Sequence, residues 1–267
     1  MVDQTKFATL RRAQRVWAVA AIHGDVHRLS HIHAQLGPRF EPGDRLVYMG
    51  NYLGHHASHI LATVDELLAF RRNILARPRA RACDVVFLRG SQEEMWHKLM
   101  QLHLALDPVN VLNWMFARGV AETLAAYGFS APDGLVQARS GAGKTARWTS
   151  AVRRAVRAQP GHDAFMGCLR RAAFTDDGAL LFVHAGVDTS RPLFTQSDTL
   201  WWGGTQFSQI TEPYEGVKKI VRGLAPDGYG VKLTPLTASL DGGCGFGGPL
   251  YAACFDTSGA MVDRVEG

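Results

Sequence analysis

An α/β fold is the class this 267-residue sequence predicts, and three observations predict it. Four short apolar runs, at residues 16–22, 46–49, 85–88 and 179–183, each lead into a glycine set among polar residues. Short β-branched and aliphatic runs of this kind read as buried strands. Between the second and third, Leu61, Val64, Leu67, Leu68 and Leu75 recur at helical spacing, so strand and helix alternate.

Arg11, Arg12 and Arg15 ahead of the apolar run 16–22 imitate a weak secretory signal. The run is short for that role and passes straight into His23-Gly24-Asp25, so it reads as the first strand. Residues 27–36 read as a helix, 44–49 as a strand, 61–75 as a helix and 85–88 as a strand. Residues 95–126 are helical in pattern, as are 149–157. A strand follows at 179–183, ending in His184-Ala185-Gly186. Beyond residue 217 the chain turns glycine-rich, with an apolar run at 250–255 and turn signals Asp227-Gly228 and Ser258-Gly259, a pattern of antiparallel strands. Open α/β sheets bind ligands at the carboxyl ends of their strands, which is where the polar residues fall.

A chain 46% hydrophobic and 20% charged can bury a sizeable core, and with no internal repeat and no Pro/Gly/Ser linker, residues 1–267 are expected to form one domain. The net charge of +5 is modest, and the arginines cluster at 11–15, 71–81 and 153–157. These clusters lack interleaved aromatics, so nucleic-acid binding is not expected and a phosphorylated or acidic partner suits them better. Cys83, Cys168, Cys244 and Cys254 form no C-x-x-C, which indicates neither a zinc knuckle nor a disulfide framework and fits a reduced, cytoplasmic setting. No other apolar run approaches the roughly 18 residues a membrane helix needs.

Gly24-Asp25-Val26-His27 resembles the G-D-x-H-G opening motif of the calcineurin-like metallophosphoesterases, in particular the bacterial serine/threonine phosphoprotein phosphatases, with Arg28 in place of the last glycine. Residues 44–55 are similar to D-R-L-V-F-L-G-D-Y-I-D-R, 85–94 to V-V-F-L-R-G-N-H-E-D, 182–187 to F-V-H-A-G-I, and 220–226 to V-V-H-G-H-T-P. Residues 241–250 are similar to the closing D-T-G-A-x-x-G-G-x-L.

The resemblance implies a two-sheet α/β β-sandwich flanked by helices, with two divalent metal ions of manganese, iron or zinc type at the strand ends. Carried across, the ligand positions hold Asp25, His27, Asn51, Ser91, His184 and Leu224. An amide at Asn51 removes the anion that bridges two dications, Ser91 is a poor neutral ligand, and Leu224 cannot coordinate. The proton-donor position holds Gln92, its orienting aspartate Gly54, and the two phosphate-gripping arginines His55 and Gly203. Asp25, His27, Asn51 and His184 are thus expected to hold any metal, at reduced occupancy. Gln92 would orient the leaving oxygen, and His55, when protonated, would replace the clamp.

Two functional expectations follow from the resemblance. One is a pseudophosphatase, weak or inactive, that binds a phosphorylated or acidic partner. The other is an active hydrolase of a phosphoprotein or small phosphoester with a reduced ligand set. Simpler readings stand beside the site assignments: Asp25 capping a helix with His27 exposed on it, His184 in a turn, the remaining histidines on helix surfaces, and Trp201-Trp202 in the core. Glycines 242–248 read as tight sheet turns, and Ser140-Gly141-Ala142-Gly143-Lys144-Thr145 as a surface insertion that imitates a phosphate-binding loop.

Overall fold

The first two strands, β1 (Phe7–Leu10) and β2 (Arg15–Val19), are separated by only four residues yet enter different sheets. The computed structural model describes residues 6–56, 59–203 and 207–267. β2 runs parallel to β3 (Asp44–Tyr48), and β3 parallel to β4 (Val85–Phe87). β10 (Tyr251–Asp256) joins β2 antiparallel, and β11 (Met261–Glu266) joins β10, giving the order β11-β10-β2-β3-β4.

The second sheet has the order β1-β5-β6-β7-β9-β8. Its members are β5 (Ala172–Thr175), β6 (Leu180–Val183), β7 (Lys219–Arg222), β8 (Lys232–Leu233) and β9 (Thr237–Ser239). The two sheets face one another, with Phe182 of β6 edge-on to Phe255 of β10 at 6.4 Å.

Every residue of β3 is buried, as are four of the five in β2, because both faces of these strands are covered. One cover is the other sheet. The opposite cover comes from α1 (Val26–Arg39), which buries Leu29, Ile32 and Leu36, and α2 (Ile60–Leu75), which buries Ile60, Val64 and Leu67. A helical block follows β4: α3 (Ser91–Leu99), α4 (Pro108–Phe116), α5 (Val120–Ala126), α6 (Ala131–Arg139), α7 (Ala142–Ala158) and α8 (His162–Cys168). The short α9 (Asp198–Trp202) lies between β6 and β7. The two-sheet α/β sandwich flanked by helices is therefore the observed fold.

The structure corrects several readings. Residues 95–126 are three helices broken at the segments around Leu104 and Gly119, not one. The strands after residue 217 are not uniformly antiparallel, since β7 pairs parallel with both β6 and β9. Residues 140–145, read as a surface insertion, instead join α6 to α7 and open that helix: Gly141 caps α7, and the Thr145 hydroxyl donates to the carbonyls of Gln137 and Gly141. No helix among the described residues is long and apolar enough to cross a membrane.

Strand entry is tied by a fork. Arg15 Nε and Nη2 donate to the two carboxylate oxygens of Asp44 at 2.9 and 2.8 Å, and Asp44 also accepts from the Glu41 amide. Asp44→Ala should lower stability by about 2 kcal/mol in urea unfolding, because two charge-assisted bonds and one backbone partner are lost while partly exposed Arg15 can rehydrate.

Candidate functional site

Three loops leave the carboxyl ends of β2, β3 and β4 side by side, and one buried carboxylate holds two of them. Glu93 Oε2 accepts from the amides of Gly90 and Asn51, both at 2.9 Å, and Oε1 from those of Tyr52 at 2.8 Å and Leu53 at 3.1 Å. Burial pushes the Glu93 pKa upward, and the four N–H donors oppose that push. The loops meet too closely for side chains at the glycines: a Cβ on Gly90 would lie 2.3 Å from the Asn51 amide nitrogen.

This clamp holds Asn51 at φ 53, a left-handed conformation that asparagine adopts more readily than most residues. Both ends of its carboxamide are then engaged. Oδ1 accepts from the Ser91 hydroxyl at 3.1 Å and the Gln92 amide at 3.0 Å, and Nδ2 lies 3.3 Å from His23 Nε2. An amide nitrogen can only donate, so His23 Nε2 is the acceptor and the ring proton sits on Nδ1. That Nδ1 is buried without an acceptor in the protein. Burial, with His55, His184 and His56 nearby, pushes the His23 pKa well below its ordinary value.

His184, at the end of β6, donates from Nδ1 to the Met49 carbonyl at 2.6 Å. This fixes its tautomer and leaves the Nε2 lone pair buried and unpartnered. Complete burial lowers its pKa to about 4.

In front of these groups lies a cavity of about 570 Å³. His23, Asn51, Ser91, Gln92 and Leu224 line its inner part, and Trp202, Tyr229 and Phe246 form an aromatic wall. The Phe246 ring sits 5.1 Å from that of His23 and 4.4 Å from that of His55. Gln92 Nε2 donates to the Arg118 carbonyl at 2.6 Å, and its side chain lies against Gly54, where a Cβ would come within 2.8 Å of Gln92 Cδ. His55 lines the cavity, where burial lowers its pKa against the pull of Glu122 and so disfavours the protonated clamp expected from the sequence. The cation at the rim is Arg118, whose guanidinium lies 4.4 Å from the Trp114 ring centre.

Asp25 and His27 do not join Asn51 and His184. Asp25 caps α1, accepting from the Arg28 amide at 3.1 Å and pairing with Arg28 Nε at 3.2 Å. His27 is exposed and rests edge-on against His59 at 4.8 Å. His23 stands in the cavity instead, which moves the G-D-x-H-G register four residues upstream onto Ala20-Ala21-Ile22-His23-Gly24. In that register the last glycine is matched, as it is not by Arg28, and Ala21 takes the aspartate position. Gly24 is required there, since a Cβ would lie 2.9 Å from the Gly54 carbonyl at φ +77.

The expectation of surface histidines also fails for His33, which is buried between Glu66 and the Tyr48 hydroxyl. Trp201 is core, as expected, but Trp202 and the glycine loop carrying Phe246 form cavity wall.

The donor set does not fit two divalent metal ions. It comprises two neutral imidazoles, a carboxamide and a hydroxyl, with apolar Ala21 and Leu224 beside them. The cavity's one carboxylate, Asp241, spends both oxygens on the amides of Ala225 and Gly243, at 2.8 and 2.9 Å. No group of three or more His, Cys, Asp or Glu among the described residues is arranged to hold a metal ion. Two dications without a free anion between them are electrostatically unsupported.

No protein-family model and no curated protein sequence matches the chain. Solved structures do. One is the crystal structure of a protein assigned as a diadenosine tetraphosphatase, 17% identical over 98% of both chains with a TM-score of 0.57. Another is a Saccharomyces cerevisiae protein serine/threonine phosphatase with similarity to human PP5, 11% identical over 98% of this chain and 82% of that one, with a TM-score of 0.50. The chain thus has the calcineurin-like metallophosphoesterase fold. At these identities the likeness is one of fold.

Two outcomes follow from the buried groups. Glu93→Gln turns an acceptor into a donor facing amide N–H groups and should cost about 3 kcal/mol of unfolding free energy in urea. His184 has a folded pKa of about 4 against an ordinary 6.5, so between those values the unfolded chain binds more protons. Its contribution is fully present above pH 6.5 and is lost as pH falls toward 4, a loss of up to about 3 kcal/mol. His184→Asn, which keeps a donor for Met49, should flatten stability across that window.

Proposed function

We propose that this chain is a phosphatase-fold binding module in which a hydrogen-bonded network replaces the dinuclear metal centre, making it weak or inactive as a hydrolase. The observation that carries this reading is the engaged Asn51 carboxamide, which binds His23 and Ser91 where a bridging carboxylate would face two cations. The partner is a phosphorylated or acidic segment. Its oxyanion would accept from the buried His23 Nδ1–H and pair with Arg118 at the rim. Tyr229 and Phe246, both half exposed, would cover the adjoining apolar atoms.

Gln92 is a positioning residue in this reading, since its amide holds the Arg118 backbone. It has no proton to give at neutral pH, so it does not replace a general acid. The active-hydrolase alternative draws its support from the free lone pair of His184 Nε2, a single strong donor.

The test is elemental analysis after purification in manganese and exhaustive desalting, with His23→Ala as blank, alongside turnover of p-nitrophenyl phosphate. We expect no stoichiometric ion and no turnover above that of His23→Ala. Bound metal that disappears in His23→Ala, with turnover that follows it, would overturn the proposal. Combined Ala21→Asp, Asn51→Asp, Ser91→Asn, Gln92→His and Leu224→His should restore metal uptake, provided circular dichroism shows a native fold.

A further inference from the structure

Arginines that lie far apart in sequence converge on a second hollow. Its volume is about 490 Å³, and Arg11, Arg71, Arg81 and Arg170 line it. They come from four separate places: the end of β1, the outer part of α2, the approach to β4, and the connection between α8 and β5. The hollow shares no lining residue with the cavity described above. It opens between β1 and β4, each the edge strand of its own sheet, so among the described residues no further strand roofs it.

Solvated helix faces do not account for this arrangement. A helix face spreads its charges toward water and mixes in carboxylates, whereas here cations from distinct segments surround one concavity. Among the described residues, no carboxylate lines it. The nearby Asp84 is spent elsewhere, pairing with Arg45 Nε at 3.4 Å and accepting from the Arg81 backbone amide at 2.8 Å. Arg11, Arg71 and Arg81 form no ion pair with the described residues. Like charges focused in a concave, partly apolar setting create a strong positive potential that an anion relieves.

We propose that this hollow binds a small molecule bearing two or more phosphoryl groups. Guanidinium forks match phosphoryl oxygens in bidentate geometry, and several forks around one hollow favour a polyanion over a single carboxylate. The volume is that of a small-molecule site, and the apolar floor from Phe7 and Val85 can take a non-phosphate part of the ligand. The proposal is independent of the reading given to the cavity at the strand ends.

The protein carries its own reporters. Cys83 and Cys168 line the hollow and are exposed, while Cys244 and Cys254 are buried elsewhere. Iodoacetamide labelling of the native protein at low ionic strength, read by peptide mass spectrometry, should be slowed several-fold at Cys83 and Cys168 by tripolyphosphate. Cys244 and Cys254 should be unaffected. ATP protecting at lower concentration than tripolyphosphate would identify a nucleotide-type ligand, and equal protection a phosphate-chain ligand; both support the site.

The combined variant Arg11→Gln, Arg71→Gln and Arg81→Gln should lose the protection. A control carrying Arg147→Gln and Arg154→Gln, exposed arginines of α7, should keep it. Absence of protection in the unsubstituted protein would overturn the proposal, whatever the variants do. So would equal loss in the α7 control, which would mark general charge screening.

Discussion

The structure of the site depends on one buried carboxylate. Glu93 reaches back from the first turn of α3 and collects four backbone N–H groups, three from consecutive residues after β3 and one from the residue preceding its own helix. Those amides point the same way because the chain turns sharply there, with Gly50 at φ +96 and Asn51 at φ +53. Without the carboxylate they would be buried donors with no acceptor, and that cost would straighten the turn. The chain in this region is therefore shaped to put the side chain of residue 51 at the meeting point of three strand ends, whatever residue 51 is.

The group presented there is an amide, and the neighbours have adjusted to it. A carboxylate at this point would repel nothing if cations faced it; a carboxamide needs both a donor and an acceptor. Ser91 supplies the donor and His23 the acceptor, which leaves His23 Nδ1, Gln92 Oε1 and His184 Nε2 buried without a partner among the described residues. Gly54 leaves room for Gln92 to fold inward and bind the Arg118 backbone, which a side chain at 54 would block. These are mutually dependent choices. Together they support the proposed replacement of a metal centre by a hydrogen-bonded network.

The main strands were legible because each is an apolar run of the right length ending in glycine, and the helices of residues 27–36 and 61–75 were legible from their spacing. β1 and β5 were not, since FATL and AAFT are short, carry threonine and alanine, and acquire strand character by pairing, β1 with β5 and β5 also with β6. The opening motif was legible as a type and misplaced in register. His23-Gly24-Asp25-Val26-His27 contains two histidines four apart, and the Gly24-Asp25 pair draws the motif to the second. The deciding signals were present: x-H-G is completed only at Gly24, and the histidine nearest the strand end is the one the sheet delivers to the cavity. The arginine hollow was beyond sequence reasoning, because its members meet only through the edges of two different sheets.

Charge, finally, is distributed unevenly between the two hollows. The three histidines of the cavity region, His23, His55 and His184, are all held toward their neutral forms by burial. Of the carboxylates nearby, Asp241 and Glu93 are consumed by backbone amides, Glu122 lies close enough to His55 to favour its charged form, and the Arg118 guanidinium sits at the rim. The inner part of the cavity is lined by His23, Asn51, Ser91, Gln92 and Leu224 and faces an aromatic wall. Positive charge collects instead between the sheet edges, where the sandwich has no roof. A site that transfers phosphoryl groups needs its strongest field at the reacting centre. In this chain the arginine cluster and the concave polar centre lie apart, an arrangement that supports the proposed binding role.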